Sequence, residues 1–159
     1  MKPRVLFVCT GNVCRSPMAE GWLRDMAERA GAEIEVASAG LGAMDGAPPS
    51  RNSVTAMKEE GIDISGQRSQ MLTSEMVEEF THIFGLGTGH IEAIRAYFPE
   101  ALEKTFVLRE FIAEGGRDIE VPDPIGGDLD EYRETRNLIQ EAMPSILSFV
   151  TAGDPSPDQ

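Results

Sequence analysis

Val5-Leu6-Phe7-Val8-Cys9-Thr10-Gly11-Asn12-Val13-Cys14-Arg15-Ser16-Pro17 is the stretch from which the rest of the chain is read. Four apolar β-formers in a row predict a central strand covered on both faces. Gly11 and Asn12 tolerate the left-handed backbone that a tight loop needs. Ser16 reads as an N-cap and Pro17 as the first residue of a helix continuing through Met18, Glu20, Trp22 and Leu23. A strand, a short loop and a helix N-terminus together make an anion site, because several backbone N–H groups point into one hollow.

The side chains of that hollow give it a chemistry. Cys9 opens the loop and Arg15 closes it, with five residues between them. An arginine fork matches phosphate oxygens bidentately. A thiol facing a helix N-terminus and a guanidinium ionises readily, and beneath a phosphate cradle it is placed to attack phosphorus. The bare spacing also arises by chance, from a buried strand cysteine and an unrelated surface arginine. The strand before it, the glycine within it and the Ser-Pro helix start after it argue against that accident.

Length and composition bound the rest. With 159 residues, the chain holds one domain with a proper core. Its 41% hydrophobic and 26% charged residues are ordinary for a soluble globular protein. No apolar run approaches the ~20 residues that span a bilayer, and Met1-Lys2-Pro3-Arg4 leads into the strand without a signal peptide. Both cysteines lie in one loop, leaving none to cross-link a secreted fold, so the expected compartment is the cytoplasm. A net charge of −13 repels nucleic acid and acidic membranes, and neither is an expected partner. Acidic residues such as Glu75, Glu78 and Glu79 read as solvated helix face.

Along the chain, Met18, Trp22, Met26 and Ala30 recur at helical spacing and predict the inward stripe of a helix from Pro17 to Ala30. Residues 33–38 alternate as a second strand, and a Gly/Pro-rich loop follows from Ala39 to Pro49. Ser50 caps a helix running to Glu60, and residues 62–69 read as an extended connector. A short helix begins at Leu72, a strand spans Thr81–Leu86, and His90–Tyr97 is helical. Lys104–Leu108 is a last strand, with a short helical turn after it. Gly115–Pro122 is loop, and the final helix spans Leu129–Val150, turning Leu138, Ala142, Ile146 and Phe149 inward. The domain is expected over residues 1–152, with 153–159 a disordered tail. Strands alternating with helices give a parallel sheet of about four or five strands, with its ligand at the carboxyl ends.

Residues Cys9 to Glu20 resemble the signature of the low-molecular-weight protein tyrosine phosphatases, and Asp123-Pro124 resembles that family's acid loop. The resemblance runs roughly from residue 4 to residue 150. It implies an α/β fold: a single three-layer domain, a four-stranded parallel sheet with helices on both faces. Phosphoryl transfer at such a site needs a nucleophile, charge stabilisation and a proton for the leaving group. Cys9 supplies the first as thiolate, and Arg15 with the loop Thr10, Gly11, Asn12, Val13, Cys14 and Ser16 supplies the second. Val121-Pro122-Asp123-Pro124 alone reads first as an ordinary turn, and it is the resemblance that implies Asp123 as the acid. It further implies that Asn12 and Ser38 order the loop and that Ser16 stabilises the thiolate. Cys14 is either a small buried residue or a redox partner that shields Cys9 as a reversible disulfide. No cofactor and no metal is expected: His82 and His90 lack ligand spacing and read as strand-side and helix-surface residues. The expected partners are phosphorylated protein substrates, and the expected state is a monomer.

The chain departs from the tyrosine-specific pattern in places. Asp123-Pro124 is followed by Ile125-Gly126-Gly127 rather than aromatic residues. That ending, with Asp128 to Tyr132, Thr135-Arg136 and Thr10, looks like the bacterial protein-arginine phosphatase branch. That branch carries a threonine where this chain has Val13, whereas tyrosine phosphatases carry a larger aliphatic residue. Val13 tips the reading to phosphotyrosine, with phosphoarginine as the alternative. Gln67 stands where many bacterial members have histidine, and Thr81 and Gly87 replace common polar residues. An arsenate reductase on the same fold needs further cysteines downstream, and none follows Cys14. A non-catalytic phosphate-binding module would lack the nucleophile, the arginine or the acid, and all three are present.

Overall fold

The computed structural model of the protein describes residues 2–112 and 119–152. Strand β1 (Arg4–Cys9) buries Val5 and Phe7 in one apolar cluster and Leu6 and Val8 in another, as a run of four apolar residues between two layers must. It pairs in parallel with β2 (Glu35–Gly40) on one side and β3 (His82–Gly85) on the other, and β3 pairs with β4 (Thr105–Val107). Among the described residues the sheet is therefore four-stranded and parallel, in the order β2-β1-β3-β4.

Helices cover both faces. Helix α1 (Arg15–Ala30), α2 (Arg51–Lys58) and α5 (Leu129–Ala152) lie on the Val5–Phe7 side, with Met18, Leu23, Met57, Ile139, Met143 and Ile146 filling that layer. Helix α3 (Ser74–Glu79) and α4 (Thr88–Tyr97) lie on the other side, where Val77 and Ile94 pack on Leu6, Val8 and Ile83. The chain leaves β1 toward β2 and returns on the opposite side as β3. The crevice at the carboxyl ends of β1 and β3 is thus the topological switch point, and Cys9 ends β1 there.

Several boundaries differ from expectation for physical reasons. Helix α1 starts at Arg15, and its N-cap is Cys14 without a side-chain bond, so Ser16 is not the cap. Strand β2 sits two residues later than its alternation predicts, because parallel pairing with β1 runs from Arg4↔Glu35 to Cys9↔Gly40. Gly40 belongs in this strand: a Cβ there would stand 2.7 Å from Thr10 O, where the loop crosses it. In α1, Ala30 is exposed, and Ala19, Leu23 and Ala27 join Met18 and Trp22 on the buried side. Phe149, expected inward, is 36% exposed, yet its ring lies 4.8 Å from Phe111 and 5.1 Å from Phe106. Ser50 and Thr73 cap α2 and α3 with side-chain oxygens that accept Ser53 N and Met76 N. The expected loop at residues 115–118 and the tail 153–159 lie outside the described residues.

Candidate active site

The loop between β1 and α1 is organised by one residue in an unusual conformation. Asn12 has φ +58, the only positive φ of a non-glycine among the described residues, and is 2% exposed. Asparagine tolerates this region when its short side chain finds local partners. Here it finds three: Nδ2 donates to Ser16 Oγ and to Ser38 Oγ, each at 2.8 Å, and Oδ1 accepts Gln70 N at 2.9 Å. Both Nδ2 hydrogens and Oδ1 are engaged inside the protein, which pins the loop to β2 and to the segment after Gln67.

The direction of these bonds fixes where protons point. Ser16 Oγ accepts from Asn12, so its own hydrogen is free to face Cys9 Sγ, 2.9 Å away. Asn12 N donates to the same sulfur at 3.2 Å. Ser38 Oγ likewise accepts from Asn12 and donates to Glu20 Oε1 at 2.6 Å. An unbroken chain therefore runs Glu20–Ser38–Asn12–Ser16–Cys9 and ends on a buried sulfur with two donors aimed at it. A thiolate accepts both bonds. Turned with its amide nitrogen inward, Gln67 adds donors to Pro17 O (3.2 Å) and Glu20 Oε1 (3.3 Å).

The helix supplies the positive end. Cys14, the N-cap of α1, offers the first turn no side-chain acceptor, which leaves a buried helix N-terminus directed at the loop. Arg15, 8% exposed, donates from Nη1 to Val121 O at 3.0 Å, and its Nη2 lies 3.6 Å from Asp123 Oδ2. The carboxylate thus stands beside the guanidinium although 108 positions separate them in sequence. Asp123 is exposed and steadied by Ile125 N, which donates to its Oδ1 at 3.1 Å.

The other loop residues have distinct anchors. Val13 is half-buried and its carbonyl accepts Ser50 N at 2.8 Å. Cys14 O accepts Ser53 Oγ at 3.2 Å, so the N-terminus of α2 holds the loop from outside. Cys14 is a free thiol, with Tyr132 Oη 3.4 Å and Ser50 Oγ 3.5 Å from its sulfur. Gly11 has ordinary space around it, and Thr10 is exposed with its Oγ1 3.3 Å from His90 Nε2.

His90 corrects the sequence reading. It is not on the helix surface but 7% exposed against the loop, with Nδ1 buried and without a hydrogen-bond partner. Burial first, then the Arg15 charge, pushes its imidazole down to about 4, against the opposing pull of Glu120 and Asp123. Glu20, Gln70 and Glu120 also carry parts of the site that no local sequence signal marks. Glu20 is only 9% exposed on α1, although it is a charged residue of a helix whose other acids lie at the surface or half-buried. Among the described residues, no group of three or more His, Cys, Asp or Glu side chains is placed to hold a metal ion.

Comparison with known proteins agrees with this geometry. The sequence model of the low molecular weight phosphotyrosine protein phosphatases matches residues 4–153. A protein-arginine-phosphatase of Geobacillus stearothermophilus is 40% identical, over 88% of this chain and 90% of its own length. A low molecular weight protein-tyrosine-phosphatase of Streptomyces coelicolor is 35% identical, over 94% of each chain. The crystal structure of a low molecular weight protein tyrosine phosphatase from T. tengcongensis superposes with a TM-score of 0.87 at 35% identity, covering 93% of this chain and 99% of that one. Fold, loop and full-length similarity converge, and the chain belongs to the low molecular weight phosphotyrosine protein phosphatase family.

Proposed function

We propose that this protein is a cysteine-dependent protein tyrosine phosphatase that hydrolyses phosphoprotein monoesters through a phosphocysteine intermediate. The observation that carries the reading is the hydrogen-bond chain ending in Ser16 Oγ, 2.9 Å from Cys9 Sγ. In the first step the Cys9 thiolate attacks phosphorus, the S–P bond forms and the ester O–P bond breaks. Arg15 and the loop amides hold the equatorial oxygens, and Asp123 gives its proton to the departing oxygen. In the second step water attacks phosphorus, its proton passes to Asp123, and inorganic phosphate leaves as the thiolate returns. Asn12 and Ser38 order the loop throughout.

Hydrolysis of p-nitrophenyl phosphate tests these roles. Cys9→Ser is expected to abolish turnover, and Asp123→Ala to lower it by about 10²–10⁴-fold. Wild-type activity in Cys9→Ser would refute the mechanism.

Phosphoarginine is the second reading of the substrate. It is favoured by the arginine-phosphatase relative at 40% identity and by Ile125, which is 67% exposed where an aromatic wall would stand. Val13 favours phosphotyrosine, because it offers no hydroxyl to orient a guanidino phosphate. Turnover of phosphotyrosine and phosphoarginine peptides by wild type and Val13→Thr decides between them. A wild type that turns over phosphoarginine alone would reverse the preference.

Residues 1–152 are taken as one catalytic domain, acting as a monomer in the cytoplasm; no described helix is long and apolar enough to cross a membrane. Cys14 is read as a redox guard. Peroxide converts the Cys9 thiolate to a sulfenic acid, the Cys14 thiol attacks that sulfur, and water leaves as the disulfide forms. After a peroxide pulse and reduction, Cys14→Ser should recover several-fold less activity than wild type, and equal recovery would remove the role.

A further inference from the structure

Helix α4 has no cap of its own. Its N-cap is Gly87, and the cap comes from a segment 32 residues away: Glu120 accepts Thr88 N at 3.0 and 3.2 Å through its two oxygens and Thr88 Oγ1 at 2.7 Å. A carboxylate suits a helix N-terminus on charge as well as hydrogen bonding. Gly87 leaves the space that the Glu120 carboxylate occupies. Its backbone is extended (φ −161, ψ 173), open to any residue, but a Cβ would lie 2.2 Å from Glu120 Oε1.

Three residues beyond Glu120 stands Asp123. The intervening chain is stitched at Val121, whose N donates to Leu86 O at 2.9 Å and whose O accepts Arg15 Nη1. The same first turn of α4 carries His90 against Thr10 of the phosphate loop. One helical turn thus touches both loops that must be registered for the reaction. The Thr88 bond also holds the Glu120 carboxyl below the usual carboxylate range, so the contact is anionic at neutral pH.

We propose that Glu120, seated on the N-terminus of α4 in the space left by Gly87, is a positioning residue that sets where Asp123 stands relative to Cys9 and Arg15, and so the efficiency of proton delivery to the leaving group. This rests on Asp123 as the general acid. A purely structural role would lower all substrates alike, whereas loss of proton delivery penalises basic leaving groups and spares those that depart without a proton.

The test is kcat/KM on phenyl phosphate against 2,4-dinitrophenyl phosphate, for wild type, Glu120→Ala, Gly87→Ala, the double variant and Asp123→Asn. The ratio of the two substrates is independent of the folded fraction. Glu120→Ala and Gly87→Ala should each lose about tenfold on phenyl phosphate and less than about twofold on the dinitro ester. Gly87→Ala keeps the carboxylate and removes only its seat, so the double variant should be no worse than either single one. A ratio unchanged from wild type in Glu120→Ala or Gly87→Ala, with Asp123→Asn still strongly dependent on the leaving group, overturns the positioning role alone. A flat Asp123→Asn would bring down the acid assignment and this inference with it.

Discussion

Asn12 concentrates the site's structural demand in one side chain. It holds a left-handed backbone, orders two serines and ties the loop to Gln70 N. Asn12→Ala would keep the conformational cost of about 1–2 kcal/mol and leave the part-buried Gln70 N–H without its acceptor as well. We expect a loss of about 2–4 kcal/mol in urea unfolding, together with a fall in turnover because Ser16 no longer has a donor that turns its hydrogen toward Cys9. Asn12→Gly separates the two effects. It should regain about 1 kcal/mol of the stability, since glycine accepts the positive φ, and none of the activity. If Asn12→Gly were as active as wild type, the hydrogen-bond chain would be irrelevant to the sulfur.

At the scale of elements, two helix contacts titrate in separate pH windows. His90 on α4 is buried between the loop and α4, faced by Arg15, Glu120 and Asp123, and titrates at about 4 against 6.5 in the unfolded chain. As pH falls from 6.5, the unfolded chain takes this proton first, so stability is lost until about pH 4, by about 3 kcal/mol in all. His82 on β3, lowered by burial, acts in the same direction. Glu59, at the end of α2, accepts from Arg133 and Arg136 of α5 and is pushed down to about 2, chiefly by the Arg133 bond. Its contribution is present above 4.5 and is lost as pH falls toward 2. Urea midpoints of His90→Gln should therefore flatten between pH 6.5 and 4, and those of Glu59→Gln only below 4.5. A His90→Gln curve parallel to wild type across the upper window would contradict the buried neutral imidazole.

What could be read from the sequence follows the same division by scale. The β1 strand, the loop and the Cys9–Arg15 pair were legible because each rests on residues within a few positions. The start of α1 departs from the Ser16 cap that residue type predicts, because the Ser16 hydroxyl is engaged by Cys9 and Asn12. The β2 boundary departs from the alternation of residues 33–38 because register with β1 outweighs it. Gln70, His90 and Glu120 left no local signal, since their partners lie 58, 80 and 32 positions away. Over the whole molecule, the net charge of −13 surrounds a site built to hold a phosphate dianion. Asp45, Glu120, Asp123 and Asp128 stand exposed on the loops that carry it, while the cation, Arg15, is buried. Attraction therefore acts at contact range and repulsion at long range, and salt screens only the second: the Debye length shrinks from about 30 Å at 0.01 M to about 8 Å at 0.15 M. We expect kcat/KM for p-nitrophenyl phosphate to rise about two- to threefold across that range of sodium chloride. A phosphopeptide flanked by lysines should respond with the opposite sign, because the same field draws it in. If both substrates slowed together as salt rose, steering would be governed by the buried guanidinium and the acidic surface would have no part in substrate choice.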